Sequence, residues 1–372
     1  MYFGWDVAEL DNRPRRRFAR AAETAPLGVA VVGYGYWGPN LARNVAESPE
    51  LSLQALCERD GQRGVAFSQR FPGVPVRREF DDVLDDPSVD AVIVATPPAT
   101  HHALVKRALE AGKHVLVEKP LATATADAEE LIMIAEREEL VLMPGHTFVY
   151  SPAVNTIRAL LTEGVVGDVY FVTSARMNLG KYQRDGVVCD LAPHDLSILM
   201  YWLDEPVVQV STSGCTVFQQ GVPETAFITL TFASGITANI QVSWLSPRKV
   251  RQMVIVGSKR MVQYDDTASD EPVRVYDRGM DMDRASGAPA SFGEYQLTYR
   301  SGDVIIPRID AYEPLSLELQ DFASAIRTGS MPRSNSALGL EIVSVLEAAD
   351  ASLRRNGAPI AVGSAARARV AA

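Results

Sequence analysis

Three ionisable side chains of this chain are spaced for proton chemistry. Asp190 and His194 stand four residues apart in Asp190-Leu-Ala-Pro-His194, so one helical turn, or a cap followed by a turn, presents both on one face. Histidine exchanges a proton near neutrality, with an unperturbed pKa of about 6.5, and a carboxylate one turn away can orient it or stabilise its charge. An N-cap aspartate beside a packed histidine has the same spacing, and the pair alone does not separate the two. The third group is Lys119, which ends the apolar run His114-Val-Leu-Val-Glu-Lys119-Pro120. Desolvating an ammonium is costly, so a lysine delivered by a buried strand must find water, an anion or a chemical task. A salt bridge, to Glu118 or another nearby carboxylate, is the plainest use. The alternative is to hydrogen-bond a substrate oxygen and stabilise developing alkoxide, which eases proton removal by His194.

A metal could do the same polarising. All five histidines, His101, His102, His114, His146 and His194, fall in one stretch of the chain. Zinc needs three or four convergent nitrogen, sulfur or carboxylate ligands, and the sequence has neither H-E-x-x-H nor a cysteine pair. Acid-base chemistry without a metal is therefore expected.

Upstream, Gly33-x-Gly35-x-x-Gly38 directly follows the apolar run Gly28 to Val32, and Pro39 opens a helical stretch. Small residues there let the backbone approach a pyrophosphate whose charge sits at the helix N-terminus. Glu58 ends the next apolar run, about 20 residues on, where a carboxylate takes hydrogen bonds from adenosine ribose hydroxyls and repels a 2'-phosphate. NAD is thus favoured over NADP, although Arg59 could stack on adenine or accept that phosphate. Tyr36 and Trp37 are placed either to close over the cofactor or to pack against Pro97-Pro98.

These groups must be carried by a scaffold, and the hydrophobic pattern describes one. From Leu27 to about Gly145, short apolar runs without polar alternation (Gly28 to Val32, Leu51 to Cys57, Val89 to Ala95, His114 to Val117, Val141 to Met143) alternate with amphipathic helical stretches. Strands covered on both faces indicate a parallel, doubly wound α/β sheet, which binds ligands beyond the carboxyl ends of its strands. After a helix opened by Ser151-Pro152, β-rich segments joined by tight turns follow between Val169 and Tyr276. They indicate an α+β domain with a mostly antiparallel sheet. Gly279 to Gly302 reads as a long loop, and two helices, Leu315 to Arg327 and Leu338 to Arg354, close the chain. The expected division is a flexible extension over 1–26, a nucleotide-binding domain over 27–147, a substrate and oligomerisation domain over 148–362 and a flexible tail over 363–372.

At 372 residues and 47% hydrophobic, the chain can bury a large core. A net charge of -10 argues against nucleic acid or an anionic membrane as partner. Three scattered cysteines, Cys57, Cys189 and Cys215, and no signal-like apolar run fit a reducing cytoplasm.

From about Leu27 to Val362 the chain resembles the glucose-fructose oxidoreductase, inositol dehydrogenase and rhizopine-catabolism (Gfo/Idh/MocA) family. The glycine loop, Ala95-Thr-Pro-Pro-Ala-Thr-His101, Glu118-Lys119-Pro120 and Gly186-x-x-x-Asp190-x-x-x-His194 carry the likeness. It implies a catalytic set of Lys119, Asp190 and His194. Cofactor contacts are implied from Gly33, Gly35, Tyr36, Trp37, Gly38, Glu58, Arg59, Thr96, Pro97, His101, Glu118 and Lys119. It also implies a cis bond before Pro120, and a homodimer or homotetramer formed through the second sheet. Pro98 departs from the asparagine that many members carry after Thr-Pro. Asp190-Leu-Ala-Pro-His-Asp-Leu-Ser, with Gly35-Tyr-Trp-Gly-Pro-Asn40, is most similar to members that oxidise C3 of a UDP-N-acetylhexosamine or its uronic acid. A cyclitol or free-sugar dehydrogenase, a ketosugar reductase, and a dinucleotide-binding regulator without turnover are the alternatives. Tyr150, Arg176, Asn178, Lys181 and Tyr182, with Arg184, are the candidates to meet a sugar or diphosphate, against the plain alternative of solvated loop charges.

Overall fold

The computed structural model describes residues 25–180, 186–218, 220–282 and 297–363. Its first half alternates strands and helices: β1 Leu27–Val32, α1 Gly38–Glu47, β2 Leu51–Cys57, α2 Gly61–Arg70, β3 Val76–Arg77, α3 Asp81–Leu84, β4 Ala91–Val94, α4 His101–Glu110, β5 His114–Glu118, α5 Thr125–Arg137 and β6 Leu142–Gly145. The six strands form one sheet in the order β3-β2-β1-β4-β5-β6, every pair parallel. All of β1 and β4 is buried, because helices cover both faces. Val29 and Val31 pack with α1 and α2, while Ala30 and Val32 pack with α4 and α5. Chain direction across the sheet reverses between β1 and β4, which opens a crevice at their carboxyl ends.

The second half runs through α6 Pro152–Thr162, β7 Val169–Leu179, α7 Gly186–Leu203, β8 Val207–Cys215, β9 Thr225–Phe232, β10 Thr237–Ser243, β11 Leu245–Gly257, β12 Met261–Asp265, β13 Val273–Tyr276, β14 Gly279–Met282, β15 Leu297–Arg300 and β16 Val304–Ile305. It finishes with α8 Pro314–Thr328, α9 Ser336–Arg354 and β17 Ile360–Ala361. Nine strands form a sheet ordered β16-β13-β12-β11-β7-β10-β9-β8-β17, antiparallel except between β7 and β10. Its inner face (Val172, Ile228, Ile240, Ile255) packs on Leu196, Leu199 and Trp202 of α7. Its outer face leaves Phe171 and Phe227 exposed.

Three features depart from the sequence expectation. Helix α7, which the hydrophobic pattern does not announce, runs 18 residues through Pro193; it is apolar nearly all round, so it carries no amphipathic stripe to read. Within the expected loop, β14 and β15 pair with each other, and a two-stranded ribbon needs no buried stripe. The last two helices return to the first sheet: Leu319 and Phe322 of α8 pack beside Leu116 and Met143, and Leu340 and Val343 of α9 beside Val117 and Leu142. Among the described residues, no helix is long and apolar enough to cross a membrane.

Candidate active site

The end of β5 sets Lys119 between β4 and β6, and the Lys119-Pro120 bond is cis. Its ammonium donates to the main-chain oxygen of Asp190 at 2.7 Å and stands 3.7 Å from Asp190 Oδ1. Both side chains keep some access, 13% and 19% exposed. Pro193 has no N–H to donate to the Cys189 carbonyl one turn back, so the helical ladder of α7 is interrupted one residue before the carbonyl that Lys119 takes. Asp190 Oδ2 accepts the indole N–H of buried Trp244 at 3.0 Å. One strand, one helix and the crossing from β10 to β11 thus meet at a single carboxylate.

His194 lies one turn further along α7, its ring edge-on to Phe148 at 5.1 Å. Burial holds its pKa well below the ordinary histidine value, and the charges of Lys119, Arg176 and Arg251 and the neighbouring His146 push the same way. His146, which follows β6, is buried and held down to about 3, by burial first and then by Lys119. Neither of its ring nitrogens has a hydrogen-bond partner among the described residues.

Several expected contacts have other duties. His101 is fully buried, with Nδ1 2.8 Å from the oxygen of Pro120 and Nε2 2.9 Å from that of Thr96. The ring therefore ties the Thr96-Pro97 loop to the Lys119-Pro120 turn and has no nitrogen left for a cofactor. Burial again lowers its pKa. A neutral imidazole donates to only one of those carbonyls; both are satisfied only when it is protonated. Glu118 alternates with Lys119 along β5 and shares the face of Leu116 under α8, so its carboxyl is buried in protein. Arg176 is a core residue of β7, with Nε and Nη2 each 3.0 Å from a carboxylate oxygen of Asp195 and its guanidinium 4.6 Å from the Phe148 ring centre. It backs His194 rather than facing solvent from a loop. Tyr150 is 1% exposed; its hydroxyl donates to Asp321 at 2.7 Å and accepts from the Ser334 amide. Asn178 is half-buried and donates to Leu179 O at 3.3 Å. Lys181, Tyr182 and Arg184 lie outside the described residues.

The glycine loop closes the other side of the crevice. At Gly33, φ is +94° and a Cβ would sit 2.8 Å from Ala95 O; at Gly38 a Cβ would sit 2.4 Å from Gly33 O. Gly35 differs: the nearest protein atom to its missing Cβ is Arg63 Nη1, 4.0 Å away. Gly33 and Gly38 thus permit the turn and its helix, while Gly35 leaves room for another molecule. Helix α1 starts with no side-chain cap and no acidic residue in its first turn, as an incoming pyrophosphate requires. The donors and the space fit a dinucleotide. Glu58 is fixed at the rim, Oε2 accepting the Tyr34 amide at 2.7 Å and Oε1 the Asp60 amide at 2.9 Å. Arg59 is exposed, and the cation nearer Glu58 and the loop is Arg63, whose Nη1 is 3.8 Å from Glu58 Oε2. Tyr36 is 84% exposed and packs edge-to-face on Trp37.

Gly38→Ala is expected to weaken NAD binding about ten- to a hundredfold, the equivalent of the about 1–3 kcal/mol that overpacking costs. Titration of NAD into the purified variant measures it, and wild-type affinity would mean that the loop does not hold the dinucleotide.

Arg63, Trp244, Phe148 and Asp195 went unnoticed in the sequence. Arg63 had one local signal, its place three residues after the helix-capping Asp60. The others acquire their roles only through distant partners. Among the described residues, no three histidine, cysteine or acidic side chains are grouped to hold a metal ion.

Residues 27–146 match the model of an oxidoreductase family with an NAD-binding Rossmann fold, and residues 154–263 match the GFO/IDH/MocA C-terminal domain. The chain is 37% identical over 150 residues to a dTDP-3,4-didehydro-2,6-dideoxy-alpha-D-glucose 3-reductase of Actinomadura kijaniata, a match spanning 40% of this chain and 45% of that protein. GenD2 from gentamicin A biosynthesis, solved in complex with NAD, superposes with a TM-score of 0.76 at 25% identity, over 94% of this chain and all of GenD2. The UDP-N-acetylglucosamine 3-dehydrogenase GnnA of Acidithiobacillus ferrooxidans shares the fold at a TM-score of 0.75 and 22% identity, over 90% of this chain and all of GnnA. With both domain types matched in order on the two sheets that carry the crevice, the chain belongs to the Gfo/Idh/MocA family of NAD-binding oxidoreductases.

Proposed function

We propose that this oxidoreductase is a dehydrogenase of a sugar nucleotide, removing hydride from a secondary hydroxyl, most simply at C3 of a UDP-N-acetylhexosamine or its uronic acid. The observation that carries the reading is the convergence of Lys119, Asp190 and His194, the ammonium donating to Asp190 O, lying 3.7 Å from its carboxylate and acting by its charge on His194. Bound along that loop, by Gly33 to Gly38 and Glu58, NAD would supply the hydride acceptor. The anionic rim at Glu58 favours NAD over NADP.

In this reading the ammonium of Lys119, anchored on Asp190, hydrogen-bonds the substrate oxygen and stabilises the charge that grows on it. His194 takes the hydroxyl proton as the C–H hydride leaves, so that one hydride and one proton are lost and a ketone forms. Its lowered pKa keeps it neutral and ready to accept at neutral pH. The cations around it disfavour the imidazolium, so the proton must be passed on. The same surroundings weigh against ketone reduction, in which His194 would have to begin protonated. The ketosugar reductase among the relatives nonetheless supports that second reading, with Lys119 rather than His194 as the proton donor.

A substrate panel followed by NADH absorbance tests the sugar-nucleotide reading. UDP-N-acetylglucosamine, its uronic acid, dTDP-hexoses, myo-inositol and free hexoses should yield turnover only with nucleotide sugars. Activity confined to inositol or free sugars rejects the proposal. It extends to a homo-oligomer closed over the outer sheet face around Phe171 and Phe227, a part that a monomer in analytical sedimentation would remove.

A further inference from the structure

Beneath Lys119 lies a pair of carboxyl groups that the proposed chemistry leaves unused. Glu118 pairs in register with Gly145 of β6, and a Cβ on Gly145 would stand 3.6 Å from Glu118 Cδ. From the facing helix α8 comes Glu318, 1% exposed. Its Oε2 accepts the Thr147 hydroxyl at 2.7 Å, and its Oε1 has no hydrogen-bond partner among the described residues.

The charged surroundings are lopsided. Lys119 is the cation acting on Glu118. The charges acting on Glu318 are two further carboxyls, Glu118 and Asp321, and Asp321 already holds Tyr150. His146, after β6, is held neutral by burial and by Lys119; on α7, Asp190 lies 3.7 Å from the ammonium, whose charge also acts on His194. Two carboxyls buried together against one ammonium cannot both ionise cheaply.

We infer that Glu118 and Glu318 form a buried proton-binding site whose occupancy follows the charge at Lys119. Burial raises Glu118 to about 7 against the pull of Lys119, and raises Glu318 well above the ordinary carboxylate range, with Glu118 adding to the effect. The pair titrates as a unit in two steps, both raised above the ordinary carboxylate range. Above the lower step an anion lies against the lysine; below it the lysine faces the crevice with its charge uncompensated from beneath. Both glutamates are positioning residues acting through Lys119. The use of the pair in turnover rests on the dehydrogenase reading, but its existence does not.

Infrared titration of the full chain, following the C=O stretch of protonated carboxyls, tests the inference without cofactor or substrate. The wild type should show both steps. Either Glu318→Gln or Glu118→Gln should leave a single step, lying below the upper step of the wild type, since the like charge is gone. Lys119→Met should raise the lower step. A wild type with no protonated carboxyl above about pH 6, well beyond the ordinary carboxylate range, overturns the inference, and so does a Lys119→Met protein with both steps unmoved. If Glu118→Gln does not fold, Glu318→Gln and Lys119→Met still decide the matter. An inactive substrate panel alongside intact infrared steps would remove the dehydrogenase reading alone.

Discussion

Lys119→Met should lower kcat by about two to three orders of magnitude on any substrate the wild type oxidises, the usual loss when one preorganised donor to a developing oxyanion is removed. Methionine keeps the length and the apolar stem, so the end of β5 should stay packed and NAD affinity should change little. What disappears is the ammonium that donates to Asp190 O at 2.7 Å and lies 3.7 Å from its carboxylate. Lys119→Arg should not restore the rate: a planar fork cannot occupy the position of a compact ammonium. Steady-state kinetics with an NAD titration on the same preparations tests this. Unchanged kcat in the methionine variant would reduce Lys119 to the structural salt bridge that its sequence context also allows.

His194→Asn should cost about 10²- to 10⁴-fold in turnover, the range for a positioned general base, and it should also change the pH profile. The neutral ring is the active form. In the wild type, kcat/KM should therefore rise with pH through the pKa of His194, which lies well below 6.5, and stay level across neutrality as far as this group is concerned. The variant should lose that acid limb. Stability should respond in the same direction. Below about 6.5 the unfolded chain protonates this histidine while the folded chain resists, so stability is full above that value and falls as the pH drops, by up to about 1.4 kcal/mol per unit. His194→Asn should remove this part of the acid sensitivity. A retained acid limb in the variant would assign the base to another group.

The legible parts of the site were local. Three glycines at fixed spacing after an apolar strand specify a turn and a helix start by themselves, because the steric demand at Gly33 and Gly38 is met within a few residues or by the adjacent strand. Asp190 and His194 follow the pitch of one helix, and the two-sided apolar runs announced a covered parallel sheet. Arg176 read as a candidate to meet a sugar or diphosphate, or else as a solvated charge, and only the tertiary fold supplies Asp195 from α7 and Phe148 from the turn after β6 to bury it. Tyr150 became unavailable to a substrate through Asp321, 171 residues away in sequence. His101 lost its cofactor role to two carbonyls that its own ring joins.

By itself, then, the sequence determined the two kinds of sheet, the nucleotide loop and the residues able to move a proton, since propensity, periodicity and glycine geometry act over short spans. The tertiary structure alone decided which of the polar side chains around the crevice remain available and what charge surrounds them. Burial and hydrogen-bond partnership depend on what packs opposite, and here the opposing groups come from α7, α8 and the crossing after β10: Lys119 meets Asp190 71 positions away, Trp244 meets Asp190 across 54, and Glu318 meets Thr147 across 171.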